Sequence, residues 1–268
     1  MVGGFPSGPA RCFGLLNSSG YGPLVIVPPF TSTIEITFLA KGVFVRADDR
    51  DRAGGRERVP VALVTAERAG VADLLNGLAA PSLLGADTIW DHSAADLVPN
   101  APTAEDPLEI LYHKFDQPAE AVAAAHYLLR FLPRRLPLSW AKNLKAAIPT
   151  AADGPMLAAW ALVSNRPSGM SDAEVDAAFA GHVSDALARP VTLFARTRAL
   201  LFSSQKLLSG DLRSDTRWAA AEAFRRAGAG AGALEAYWGH SPALAGASGP
   251  NDPGPPLLNL FLNKDQFE

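Results

Sequence analysis

Three proline-led segments decide the fold: PAEAVAAAHYLLRF at 118–131, PMLAAWALV at 155–163 and PVTLFARTRALL at 190–201. Pro118, Pro155 and Pro190 recur at intervals of 37 and 35 residues. Proline suits the first turn of a helix, where its missing N–H would have no partner within the helix. A period of this length is typical of stacked helical hairpins. The spacing therefore predicts hairpins at about 118–148, 155–188 and 190–226, each with its proline in the first helical turn.

Local signals refine these helices. Asp153 lies two residues before Pro155, where it can cap that helix, and the pattern from Ser171 to Glu174 is a capping box that opens another. In the helix that follows, His182 shares a face with apolar residues. We therefore expect His182 to be a hydrogen-bonded core histidine.

The strand signals lie towards the N-terminus. Residues 24–27 form a short apolar run, and residues 33–38 alternate between apolar and polar side chains. Valine-rich runs at 43–45 and 59–64 flank a charged stretch, which predicts a β-hairpin with a long polar tip. A short helix is expected at about 69–78.

The fold class predicted is α+β: a small N-terminal antiparallel β unit followed by an α-helical hairpin array of the tetratricopeptide type. We expect a flexible segment at 1–21, cut from a longer protein, and a β-rich unit with an acidic connector at 22–104. Helical hairpins should occupy 105–238. A Gly/Pro-rich tail with an apolar terminus should occupy 239–268, the terminus packing on this domain or on a partner.

Composition narrows the class of protein. The chain has 268 residues, of which 48% are hydrophobic and 19% charged, with a net charge of −3. These values are typical of a globular protein and give no sign of a nucleic-acid or membrane partner. Cys12 is the single cysteine, which excludes an internal disulfide and favours a cytoplasmic location. No apolar run is long enough for a membrane-spanning helix.

The residue patterns predict neither catalysis nor metal binding, and no cofactor is expected. His92 has no recognisable serine-hydrolase context, and Cys12 lies in a Gly/Pro-rich terminus with no evident scaffold. His113 and His126 lack the spacing of metal ligands. The stretch from Asp49 lacks the closing glutamate of a calcium loop.

Charge is the strongest functional signal. Residues 83–120 hold eight carboxylates, whereas residues 121–152 hold no acid and five basic side chains. We call these five the basic stripe: Arg130, Arg134, Arg135, Lys142 and Lys145. Three interpretations stay open: neutralisation of the acidic segment within the fold, an acidic protein partner, or a nucleic acid. Nucleic acid is the least favoured, because no interleaved aromatic residues or known module accompany the charges.

The motifs HYLLR at 126–130, WAKNL at 140–144, DGP at 153–155 and WAL at 160–162 resemble a tetratricopeptide-like helical region. Such regions form C-terminal parts of bacterial multidomain proteins that carry a caspase-like or other peptidase domain. The resemblance covers about 105–205, and the β unit has no counterpart in it. It implies an accessory or sensing module beside an effector enzyme, with no catalytic residues to carry over.

We therefore predict a non-catalytic protein-recognition, scaffold or regulatory module of a bacterial multidomain, peptidase-linked defence system. Its protein partner would be a caspase-like or other peptidase, and the basic stripe would be the binding site. The alternative is a hydrolase with a dispersed active site. A hydrolase needs an enclosed cleft with converging titratable groups, whereas a binding module needs only an open surface.

Overall fold

The computed structural model describes residues 10–16, 21–38, 44–46, 56–58, 62–79, 103–189, 191–219, 221, 233–240 and 257–263. The helices in these ranges are α1 (Ala69–Ala79), α2 (Pro107–Tyr112), α3 (Pro118–Phe131), α4 (Leu138–Ala147), α5 (Asp153–Ser164), α6 (Asp172–Leu187) and α7 (Ala195–Leu207). The strands are β1 (Ala10–Leu16), β2 (Tyr21–Val27), β3 (Ile34–Phe38), β4 (Phe44–Arg46), β5 (Arg56–Arg58), β6 (Ala62–Ala66), β7 (Ala236–His240) and β8 (Leu257–Asn263).

Helix α5 is the centre of the helical body. Every residue from Asp153 to Leu162 is buried. The helix packs against α3, α4, α6 and α7. A helix that is apolar on all sides must be covered on all sides, and alanines let its neighbours approach closely. The hairpins α3–α4 and α5–α6 thus meet along α5.

Two of the three prolines lie where the sequence predicts. Pro118 is the first residue of α3, and Pro155 lies in the first turn of α5. Pro190 lies outside the described residues, and the expectation that it opens a helix is wrong. Residues 191–194 are extended, and α7 begins only at Ala195. The extended segment hydrogen-bonds to residues on both sides of it, which competes with helix formation.

The strands form three small sheets. The largest has the order β7–β2–β1–β8, in which β8 runs parallel to β1 and the other neighbours are antiparallel. Strands β3 and β6 pair antiparallel, as do β4 and β5. A hairpin is thus present around the charged tip, but its second strand is β5. Residues 62–64, part of the predicted second strand at 59–64, lie in β6 and pair with β3 instead. The purely antiparallel unit expected is mixed because of β8.

The ends of the chain differ from expectation. Strand β1 lies inside the segment expected to be flexible, and β8 lies inside the tail. The apolar terminus packs on this domain, since Ala10 pairs with Leu257 and Leu16 with Asn263. Strand β8 has its partner at the opposite end of the chain, so local composition did not predict this pairing.

Residues 233–235 join the sheet to the helical body. The Glu235 carbonyl accepts a hydrogen bond from the Ile26 amide of β2 at 2.8 Å, and the Glu235 amide donates to the Leu193 carbonyl at 2.9 Å. Leu193 belongs to the extended segment 191–194. On the other side of this extended segment, the Ala152 amide donates to the Val191 carbonyl at 2.8 Å. Backbone pairing therefore continues from β2 to the start of α5.

The fold class is α+β, with a helical body and small antiparallel strand pairs. The tetratricopeptide-like stacking stays a prediction. Within the described ranges, no helix is both long and apolar enough to cross a membrane.

Candidate functional site

The basic stripe is divided between paired and exposed side chains. Arg135 forms an ion pair with Asp106 at 2.9 Å, and Lys145 forms one with Asp185 at 2.5 Å. Arg134 and Lys142 are exposed and have no ion pair within the described residues. The stripe is therefore neither wholly internal nor wholly free. Asp87, Asp91 and Asp96, which the internal interpretation invoked, lie outside the described residues.

Arg130 binds the end of a neighbouring helix. Its Nη1 donates to the carbonyls of Gly77 at 3.1 Å and Leu78 at 3.4 Å, in the last turn of α1. Burial lowers the pKa of Arg130. Burial, with a smaller effect from the charge of Arg130, lowers the pKa of Arg196 to about 9, so Arg196 is a cation at neutral pH. Arg130 thus stabilises α1 on α3.

An aromatic surface is formed by residues of α2, α4 and the connection between α2 and α3. It consists of Tyr112, Phe115 and Trp140, of which Tyr112 is 64% exposed and Phe115 is 41% exposed. Tyr112 is the last residue of α2, Phe115 lies in the connection from α2 to α3, and Trp140 lies in the first turn of α4. The ring centroids of Tyr112 and Trp140 are 5.8 Å apart. Large apolar side chains held together in water are typical of interaction sites.

Lys114 holds this surface in place. The lysine is largely buried, and its Nζ lies 4.9 Å from the Trp140 ring centroid and 5.4 Å from that of Phe115. A cation over an aromatic face is attracted by the ring quadrupole. Lys114 therefore fixes two of the three rings in advance of any partner.

The strongest cluster of titratable groups is buried. His126 Nε2 lies 2.9 Å from Thr197 Oγ1 and 3.5 Å from Asp153 Oδ1. Thr197 Oγ1 also donates to Asp153 Oδ1. All three side chains are completely buried, so no substrate reaches them in this structure. The cluster joins α3, α5 and α7.

The hydrogen bonds assign the His126 tautomer. A threonine hydroxyl has one hydrogen, and that of Thr197 is directed at Asp153. The hydroxyl can therefore only accept from His126, so Nε2 carries the proton of the neutral ring. Burial lowers the pKa of His126, although the hydrogen bond and charge of Asp153 oppose this effect.

Asp153 caps a different helix from the one predicted. It is the first residue of α5, but its oxygens accept hydrogen bonds from the amides of Leu193 at 2.8 Å and Phe194 at 3.1 Å. Phe194 is the N-cap of α7. Asp153 thus supplies acceptors to the start of α7 from a neighbouring hairpin.

The histidine expected in the core was the wrong one. His182 is only partly buried, and its pKa is lowered mainly by burial and also by the charges of Lys145 and Lys142. The hydrogen-bonded core histidine is His126. The hydrogen-bond partner of His126 is Thr197, which lies 71 residues away in the sequence. A contact over this distance cannot be read from the sequence, so His126 could not be told from His182.

The other candidates lie in a strand or outside the described residues. Cys12 lies in β1, between β2 and β8, rather than in a scaffold-free terminus. His92, the stretch from Asp49 and the glycine run at 228–232 lie outside the described residues. Within the part of the chain that the structure describes, no three His, Cys, Asp or Glu side chains are grouped to hold a metal ion.

Residues 91–250 match the family model described as the Y4kD C-terminal domain. The chain belongs to this family. The match includes α2 to α7 and β7, and therefore both the aromatic surface and the buried cluster. No curated protein and no solved structure matches the chain.

Proposed function

We propose that this member of the Y4kD C-terminal domain family is a non-catalytic protein-recognition module that regulates or scaffolds a bacterial multidomain system. The observation that carries the proposal is the aromatic surface, in which Tyr112 and Phe115 are exposed beside Trp140. Tyrosine, tryptophan and arginine dominate the binding energy of protein interfaces. The burial of His126 and Asp153 argues against the hydrolase alternative.

Charge indicates the partner's chemistry. Arg134 and Lys142 are exposed, so an acidic surface on the partner would be attracted to them. The resemblance to peptidase-linked helical regions makes a caspase-like or other peptidase of the same system the partner class that we propose. We propose a cytoplasmic location, because the chain has a single cysteine.

The first prediction tests the aromatic surface. Tyr112→Ala should weaken partner binding by about 2 kcal/mol, roughly thirtyfold, because it removes an exposed anchor. Bait proteins carrying wild-type sequence, Tyr112→Ala or the control Leu207→Ala would capture partners for mass spectrometry, and the affinity of the purified partner would then be measured. Leu207 is also exposed, at 56%, but lies on α7. The proposal fails if Tyr112→Ala and Leu207→Ala bind the partner equally well.

The same partner tests the charges. Reversing Arg134 and Lys142 to glutamate should slow association and flatten its salt dependence, because exposed charges act on the encounter rate. The melting temperature should change little, since exposed charges contribute only about 0–1 kcal/mol. Arg213→Glu on the exposed turn after α7 is the matched control. An unchanged association rate with a lower melting temperature would indicate internal pairing instead.

A further inference from the structure

A cavity of about 310 Å³ lies between the end of α6, the extended segment 191–194 and α7. Three arginines line it: Arg189, Arg198 and Arg217. Apolar side chains form most of the remaining wall, among them Val191, Leu201 and Phe202. No carboxylate is among the lining residues that the structure describes. The cavity is therefore apolar on one part of its wall and lined by guanidinium groups on another.

Arg198 is held at the wall by a buried carboxylate. Its Nη1 lies 2.7 Å from Glu235 Oε1, and Glu235 is fully buried. Thr192 Oγ1 donates to the other Glu235 oxygen at 3.1 Å. The opposite charges of Arg198 and Glu235 attract each other. Among the described residues, however, the hydrogens on Arg198 Nη1 are not aligned with a hydrogen-bond acceptor. Arg198 is thus fixed at the cavity wall by its ion pair with Glu235.

The other two arginines are fixed from outside the cavity. Arg189 donates to the Pro149 carbonyl at 2.6 Å and lies 3.4 Å from Asp185. Arg217 donates to the Ser184 carbonyl at 3.1 Å and pairs with Asp215 at 2.7 Å. These contacts satisfy carbonyls after α4 and near the end of α6. They also hold the guanidinium groups in position, which lowers the entropic cost of binding a ligand.

We propose that this cavity binds a small organic anion, in which a carboxylate or phosphate group meets the arginines and an apolar body lies on Val191, Leu201 and Phe202. The guanidinium group matches the planar geometry of both oxyanions. The volume lies at the lower end of the range of ligand sites, about 300–1,000 Å³, which favours a compact ligand. This site is separate from the aromatic surface and does not depend on the function proposed above.

The experiment uses four probes on the full chain: benzoate, phenyl phosphate, benzyl alcohol and inorganic phosphate. Calorimetric titration should show that benzoate or phenyl phosphate binds at least about tenfold more tightly than benzyl alcohol, which lacks the charge. Inorganic phosphate, which lacks the apolar body, should also bind at least about tenfold more weakly. The tighter of the two aromatic anions identifies the preferred oxyanion.

Two variants place the binding. Ala221→Leu fills the cavity without removing any polar contact, and Arg217→Gln removes one charge at its wall. Each variant should bind the aromatic anion about tenfold or more less tightly than the wild type. Arg213→Gln, which alters an arginine outside the cavity lining, should leave this affinity unchanged. If Arg217→Gln fails to fold, Ala221→Leu alone still tests whether the anion binds in this cavity.

Three results would overturn the proposal: equal binding of benzoate and benzyl alcohol, equal binding of inorganic phosphate and the aromatic anions, or binding that Ala221→Leu leaves unchanged. Absence of binding by both aromatic anions at millimolar concentration would do the same.

Discussion

His126 is the single residue that should make the stability of this chain most sensitive to pH. Burial lowers its pKa below the ordinary value of 6.5, so the folded chain keeps the ring neutral where the unfolded chain accepts a proton. Stability from this residue is therefore complete above about pH 6.5 and declines as the pH falls towards the folded pKa. The expected decline in the free energy of unfolding is about 1.4 kcal/mol per pH unit.

Urea unfolding at a series of pH values from about 8 to 5 would measure this decline. His126→Gln keeps a donor towards Thr197 but cannot titrate, so its stability should depend less on pH than that of the wild type. His113→Gln, which alters an exposed histidine, is the control. Equal slopes for wild type and His126→Gln would contradict the assignment of a neutral buried ring.

Residue chemistry was only partly predictable from sequence. The capping box of Ser171 and Glu174 is confirmed, because both partners lie within one helical turn. The role of Asp153 was missed, because its acceptors serve amides 40 and 41 residues away. The aromatic surface was missed for a similar reason. Tyr112 and Trp140 belong to different helices, so only the packing of those helices brings the two rings together.

At the scale of elements, the close approach of α4 and α5 depends on Gly154. A Cβ atom at this position would lie 2.8 Å from the Lys145 amide nitrogen and 2.9 Å from the Leu144 carbonyl oxygen. Those are backbone atoms, so the two helices would have to move apart. Gly154→Ala should lower the free energy of unfolding by about 1–3 kcal/mol through overpacking.

Gly181 on α6 provides the matched control. A Cβ atom there meets nothing within 4 Å, and the residue is exposed. Gly181→Ala should therefore stabilise the chain by about 0.5–1 kcal/mol, because alanine loses less backbone entropy in a helix. Chemical denaturation of both variants would show opposite shifts if α4 and α5 pack as described. Shifts of the same sign would contradict this packing.

Elements with strong local signals were predicted well. Residues 69–78 were expected to be helical and form most of α1, and Pro118 and Pro155 open helices. Proline spacing failed at the third position, because residues 191–194 are held extended by backbone bonds to Ala152 and Glu235. Tertiary pairing there outweighed the local preference.

At the scale of the whole molecule, β8 is an outer strand of the main sheet and covers the edge of β1. It pairs along the full length of β1, from Ala10–Leu257 to Leu16–Asn263. Deleting residues 257–268 should expose the backbone groups of β1, lower the melting temperature and promote self-association, since an open strand edge is a template for pairing.

Light scattering and thermal unfolding of the truncated chain would measure both effects. A deletion of residues 264–268 alone, beyond the end of β8, is the control. If both deletions leave the chain equally stable and monomeric, β8 is not needed to cover β1.

The α+β class was predictable from composition and periodicity, but the arrangement of the domains was not. Sequence divides the β unit from the helices at about residue 104, yet β2 pairs with β7 near the end of the helical region. Pairings between residues more than 200 positions apart have no local signature. The predicted boundary at residue 239 therefore falls inside β7, and the predicted tail contains β8.

The parallel pairing of β1 with β8 also has a consequence for synthesis on the ribosome. Strands β1 and β2 can form their hairpin early, but the free edge of β1 must wait until residue 263 has left the exit tunnel. At typical elongation rates of about 5–20 residues per second, this delay lasts roughly 10–50 s. During that time the nascent chain presents an unpaired strand edge. A chaperone that binds extended peptides would have its longest opportunity at residues 10–16.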